Sequence, residues 1–183
     1  ETLESLSAQH KILDLVRNEV AANHRNITPL ASIKEAPSPL IQAALAVQED
    51  LVLMRETDDG YILAAACVCF PTGWNLAEKV GKVMQTIHQP VKRAVDTSIN
   101  RHNVGEKIFF RVERQTLQRI DDDPDILFTI RIFNNSLAEV CEDRARAKRL
   151  LHGLQTMNAD MRGYKSLPRY EQLISEYLEQ AAS

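Results

Sequence analysis

Apolar residues return every three or four positions in the opening stretch, at Leu3, Leu6, Ile12, Leu13, Val16 and Val20. That spacing predicts an amphipathic helix to about Ala22, packed on the body of the protein. From His24 to Pro37 the pattern dissolves into Asn, Thr, Ser and proline, which predicts a loop. Ser38-Pro39 then offers a cap followed by proline at the first helical position, opening a short helix to about Val47. The period changes at Leu51–Arg55 and Tyr61–Phe70, β-prone runs on either side of Glu56-Thr57-Asp58-Asp59-Gly60, and this predicts a hairpin.

Helical signals resume after Pro71-Thr72-Gly73. Asn75-Leu76-Ala77-Glu78 has the spacing of a capping box, so a helix is expected near Leu76, limited by Pro90. Val91, Val95 and Ile99 suggest a further helical piece towards His102. Ile108–Ile120 and Ile126–Phe133 are the next strands, joined by the acidic turn Asp121-Asp122-Asp123-Pro124-Asp125. Ser136-Leu137-Ala138-Glu139 is a second capping box, opening a helix of roughly twenty residues. Pro168 is placed to start the last helix, which ends near Ala181. Strands in pairs around a helical middle favour an α+β fold over an alternating parallel one. The expected division is a helical segment over 1–46, a core over 47–135 and C-terminal helices over 136–183 that pack on that core.

Composition narrows the class. With 183 residues, 44% hydrophobic and 26% charged, the chain can bury the core of one ordinary domain. Its net charge of -3 gives no basic excess for nucleic-acid binding. The longest apolar run, Ile62–Phe70, is too short to span a bilayer, so no membrane association is expected. Cys67 and Cys69 sit two apart in one strand run and the third cysteine, Cys141, is distant, so a disulfide framework is not expected and the compartment reads as a reducing cytoplasm. A glycine-rich phosphate loop, a zinc-type Cys or His cluster and a nucleophile elbow are all missing from the pattern.

A series of ordered motifs goes further: Gln48-Glu49-Asp50-Leu51, Cys69-Phe70-Pro71-Thr72-Gly73-Trp74, Glu78-Lys79-Val80-Gly81-Lys82, Ile87-His88-Gln89-Pro90-Val91, Arg111-Val112-Glu113-Arg114-Gln115-Thr116-Leu117, Leu127-Phe128-Thr129-Ile130-Arg131 and Tyr164-Lys165-Ser166-Leu167. Over roughly Val47–Leu167 the chain resembles the haem-binding alpha subunit of the haem-dependent oxidative N-demethylase family. The resemblance implies a PAS-like domain, an antiparallel sheet around a central helical segment with extra helices at both ends. It implies haem b, partner reductase subunits carrying FMN and an iron–sulfur cluster with NADPH as donor, and tetrahydrofolate to capture formaldehyde. The reaction it implies consumes O2 and a small secondary amine of the dimethylamine type. A PAS sheet normally has five strands, and the pattern here supplies four. Between Val91 and Arg111 the family usually has a longer segment with an Arg-x-Asn-Trp motif, whereas this chain has Arg101-His102-Asn103-Val104 without the Trp.

Residue roles follow with their alternatives. His88, before Gln89-Pro90, is the first candidate for the axial iron ligand and His102 its rival, while either could be a hydrogen-bonded structural histidine. Glu113 is the candidate acceptor for a cationic amine and Arg111 the partner of a propionate or bound oxygen, against a plain Arg–Glu pair on the sheet with Arg111 or Arg131. Arg114 and Lys79 are propionate candidates, with Lys79 and Lys82 otherwise a solvated face. Trp74 is expected beside the pocket. Cys67 and Cys69 read as small buried thiols more readily than as iron ligands. A non-catalytic haem or small-ligand sensor with the same fold, and a haem-free scaffold subunit, are the competing classes.

Overall fold

A computed structural model describes residues 3–23, 37–69, 75–87, 96–120 and 124–183. The chain divides into two compact units, 1–91 with 113–132 and 92–112 with 133–183. Helices and a four-stranded antiparallel sheet make the α+β class that the pattern predicts.

In the first unit the opening helix, α1, spans Leu3–Asn23 and the Ser38-capped helix, α2, spans Pro39–Ala44, with Ser38 Oγ accepting the Ile41 N–H at 3.3 Å. Strand β1 (Asp50–Thr57) and strand β2 (Gly60–Cys67) form the first hairpin around Asp58-Asp59. Gly60 stands at φ 103°, a left-handed conformation that a side chain would strain. Strands β3 (Phe109–Arg119) and β4 (Ile126–Ser136) complete the sheet in the order β2-β1-β4-β3. The central strand β1 is buried from Asp50 to Met54 because both its faces are covered. Leu51 and Leu53 pack with Ile12, Leu13, Val16 and Leu40 of the two helices. Val52 and Met54 turn the other way, towards Leu63, Ile87 and Phe128.

The stretch after Asn75 departs from the expected helix. Only a 3-10 turn forms, Leu76–Glu78, with Asn75 accepting the Ala77 N–H at 3.0 Å. The chain then exchanges backbone hydrogen bonds with β2, Gly81 N–H to Leu63 O at 2.8 Å and Leu63 N–H to Lys82 O at 3.1 Å. Pairing with a strand satisfies groups that a longer helix would have used internally. A single turn, α3 (Met84–Ile87), follows and lays Ile87 on the sheet.

The second unit is helical apart from the strand ends. Of the helical piece expected from Val91 towards His102, residues 91–95 lie outside the described residues, and 96–103 forms turns instead, because Asp96, Asn100 and Asn103 side chains take up nearby N–H groups. Helix α4 is confined to Val104–Lys107. The capping box at Ser136 is present, Glu139 N–H reaching Ser136 Oγ at 3.2 Å and Ser136 N–H reaching Glu139 Oε2 at 2.7 Å. The long helix it should open is broken, however, into α5 (Leu137–Cys141) and α6 (Arg144–Thr156). Asp143 causes the break by capping a fresh start, accepting the Ala145 and Arg146 N–H groups at 2.8 and 3.2 Å. A short helix α7 (Ala159–Tyr164) was not foreshadowed, and Pro168 falls in a 3-10 turn, Leu167–Arg169, before the final helix α8 (Glu171–Ala182). The core of this unit is Val104, Leu137, Leu154, Ile174 and Leu178.

Candidate cofactor site

Three of the sequence motifs meet in the first unit through polar side chains that tie one strand to another. Glu49 precedes β1, and its carboxylate lies 3.3 Å from Arg131 Nη1 on β4 and 3.8 Å from Arg114 Nη2 on β3. Three motifs distant in sequence therefore meet at one carboxylate. Beside them the hydroxyls of Thr116 and Thr129 lie 2.6 Å apart across β3 and β4. Arg131 is the stronger partner, being 26% exposed where Arg114 is 64% exposed and its attraction is screened by water.

Asp50, 2% exposed, accepts the Cys69 N–H at 2.8 Å and so holds the end of β2 against the start of β1. Burial, reinforced by the Cys69 thiol and the Asp50 carboxylate, pushes the Cys67 thiol up from its ordinary value, so Cys67 is kept neutral. Arg55 of β1 makes a two-pronged contact with Asp125 before β4, Nε to Oδ1 at 3.1 Å and Nη2 to Oδ2 at 2.9 Å. Lys79 donates from Nζ to the carbonyl of Ile87, the residue immediately before His88. The lysine proposed for a propionate is thus engaged at the end of α3, linking the motif that contains it to the next one.

The remaining candidates are spread out. Arg111 and Glu113 lie two apart on β3 and so share one side of that strand, Arg111 half-buried and Glu113 exposed. Glu113 accepts from Gln115 Nε2 at 3.2 Å, and Arg131, its suggested partner in the plain ion-pair reading, is at Glu49. His102 is exposed in a turn, its N–H bound by Asn100 Oδ1 at 2.9 Å. His10 and His152 are exposed. His88, Trp74 and His24 lie outside the described residues.

A haem needs an apolar face, cations and an axial donor. The described residues supply an apolar cluster, Val52, Met54, Leu63 and Ile87 packed with Phe128, and cations at Lys79, held by the Ile87 carbonyl, and at Arg114 and Arg131, both at Glu49. Among the described residues no three His, Cys, Asp or Glu side chains gather as metal ligands. Sequence reasoning passed over Glu49, Asp50 and Asp125. The signal that could have found them is a carboxylate abutting an otherwise apolar strand, which must be paired if it is buried.

An α+β domain with charged side chains knitted across its strands is a scaffold shared by many activities. The comparison with known families is specific: the family described as haem-dependent oxidative N-demethylase, alpha subunit-like, matches residues 5–102 and 92–175. The chain belongs to this family. Its name carries haem dependence, oxidative N-demethylase relationship and a place as one subunit of a larger enzyme. The match comes in two segments that overlap over 92–102, within the Val91–Arg111 interval from which the Arg-x-Asn-Trp motif is missing. No helix among the described residues is long and apolar enough to cross a membrane.

Proposed function

We propose that the chain is the haem b-binding, PAS-like subunit of a multi-component cytoplasmic enzyme that removes a methyl group from a small secondary amine such as dimethylamine. The amine's methyl carbon leaves as formaldehyde, O2 supplies its oxygen, and the other oxygen atom leaves as water. Electrons come from partner reductase subunits that carry FMN and an iron–sulfur cluster and draw on NADPH, and tetrahydrofolate takes up the formaldehyde. Haem, when bound, supplies the iron at which O2 is reduced. The chain's own residues divide the remaining work: His88 ligates iron, with His102 as the alternative; Arg111 and Arg114 serve the propionates or bound oxygen; Lys79 and Trp74 border the cofactor. Glu113 accepts the ammonium, because a cationic amine leaving water needs a carboxylate.

The observation that carries this reading, beside family membership, is the position of Ile87. It is 9% exposed in an apolar cluster with Val52, Met54 and Leu63, so the residue directly before His88 is anchored in the core on one side of the sheet. The test is an absorption spectrum of the full chain with haem added. A Soret band is expected in the parent and in His102→Ala, and its loss in a folded His88→Ala. In the haem-loaded parent, Glu113→Gln raises the midpoint of the dimethylamine-induced Soret shift about tenfold or more while leaving carbon monoxide binding intact. No Soret band in the parent removes the haem reading, and full haem retention in His88→Ala moves the iron to His102.

A further inference from the structure

Among the described residues no strand pairs with the outer edge of β3. This strand stands last in the order β2-β1-β4-β3, and from Glu113 to Arg119 every residue is exposed. Leu117 is the most exposed of the large apolar residues among those described, at 66%. Phe109, Phe110 and Val112, earlier on the strand, are exposed as well. Soluble proteins blunt such edges or fill them, since a row of backbone donors and acceptors is a template for another strand. The direction of these groups can be read off. Ile120 N–H is bound by Asp125 O at 3.2 Å, and Thr116 lies opposite Thr129, so the even-numbered residues of this stretch turn their backbone groups towards β4. Glu113, Gln115, Leu117 and Arg119 therefore turn theirs outward.

The side chains on this edge fit a second copy of the same edge. Two such strands related by a twofold axis run antiparallel, and only registers that keep each residue on its own face are open to them. With Thr116 beside Thr116 of the second copy, Glu113 stands opposite Arg119 of the other chain, and the symmetry repeats the pair. Gln115 then faces Leu117, and the two Leu117 side chains become diagonal neighbours. Centring the pairing on Glu113 or on Arg114 instead sets like charges against each other. Centring it on Gln115 places Glu113 against Leu117. We propose that the 113–119 edge of β3 docks a second copy of this chain, antiparallel, with the twofold axis at Thr116. A carboxylate has two oxygens and about four lone-pair positions, so this charge pairing is compatible with the hydrogen bond that Glu113 accepts from Gln115.

The test is the oligomeric state of the full chain, measured by sedimentation velocity up to about 100 µM, a range that captures a weak interface of this size. The parent is expected to form a dimer. Gln115→Pro, which removes an outward N–H and leaves the ladder to β4 whole, is expected to be monomeric with unchanged thermal stability. Arg119→Glu weakens the dimer about tenfold, and Glu113→Arg combined with Arg119→Glu restores it. Should Gln115→Pro fail to fold, cysteine pairing supplies the answer. Thr116→Cys cross-links to its counterpart under mild oxidation, because residues opposed across the axis lie within disulfide reach, while Gln118→Cys does not. A parent that stays monomeric overturns the proposal, whether or not another polypeptide fills the edge. So does dimerisation unaffected by Arg119→Glu, or equal cross-linking at both cysteines. None of these readouts involves haem, so their failure is separate from failure of the proposed function.

Discussion

Asp125 is 1% exposed, and a carboxylate so far from water is tolerated only because the Arg55 guanidinium grips both its oxygens. Replacing it with Asn keeps the shape and removes the charge, leaving Arg55, itself 21% exposed, short of its counter-charge. Removing one partner of a buried pair is more damaging than removing both. Asp125→Asn is expected to lower stability by about 3 kcal/mol, and Asp125→Leu with Arg55→Met to recover most of it, as thermal melts of the variants will show. A single mutant as stable as the parent would mean that the pair contributes nothing. In the sequence Asp125 is the last of four aspartates in an acidic run and looks like a turn residue. Nothing local separates it from its neighbours, because its partner is seventy residues away on another strand. The same holds for Glu49 and Arg131, whose meeting is fixed by strand order. Lys79 and Arg114 are identifiable as cations of interest from their motifs, but the Ile87 carbonyl and the Glu49 carboxylate that hold them are set by the fold.

At the scale of elements, a four-residue cap signal marks where a helical turn starts but not how far the helix runs. Ser38 and Ser136 cap the helices they announce, and both hairpins form where β-prone runs flank polar turns. The helix beyond Ser136 breaks because Asp143 competes as a cap, and the one beyond Asn75 gives way to pairing with β2. Asp143 also makes α6 sensitive to acid. The N–H of Arg146 foremost, then its side chain and the Ala145 N–H, hold the Asp143 carboxyl below its usual value. The unfolded chain therefore takes up the proton first as pH falls. The contribution is complete above about pH 4, the ordinary aspartate value, and disappears as pH drops through the lower folded value. Asp143→Asn retains an N-cap without the charge. Its thermal midpoint is expected to fall less than the parent's between neutral pH and acid, and equal acid sensitivity would remove Asp143 from that role.

For the whole molecule, the α+β class was legible because two hairpins flank a helical middle, while the openness of the sheet at β3 was visible only as a missing fifth strand. The electron supply is a property at this scale too. A chain that oxidised NADPH by itself would need a dinucleotide site and a relay to iron. Its six glycines, Gly60, Gly73, Gly81, Gly105, Gly153 and Gly163, stand singly along the sequence and make no G-x-G-x-x-G fingerprint. Its three cysteines are fewer than a four-thiolate cluster requires, and the pair at 67 and 69 has Cys67 held neutral. The haem-loaded chain alone is therefore expected to oxidise NADPH no faster than an equal concentration of free haem, with dimethylamine present or absent. Each demethylation takes two electrons and a ferrous haem holds one, so reducing the iron chemically, removing excess reductant and then admitting O2 and dimethylamine should give formaldehyde in at most half an equivalent per haem. Sustained NADPH consumption by the pure chain would place a donor site within it. Formaldehyde released beyond half an equivalent per haem without added reductant would show that electrons enter by a route that requires no partner subunit.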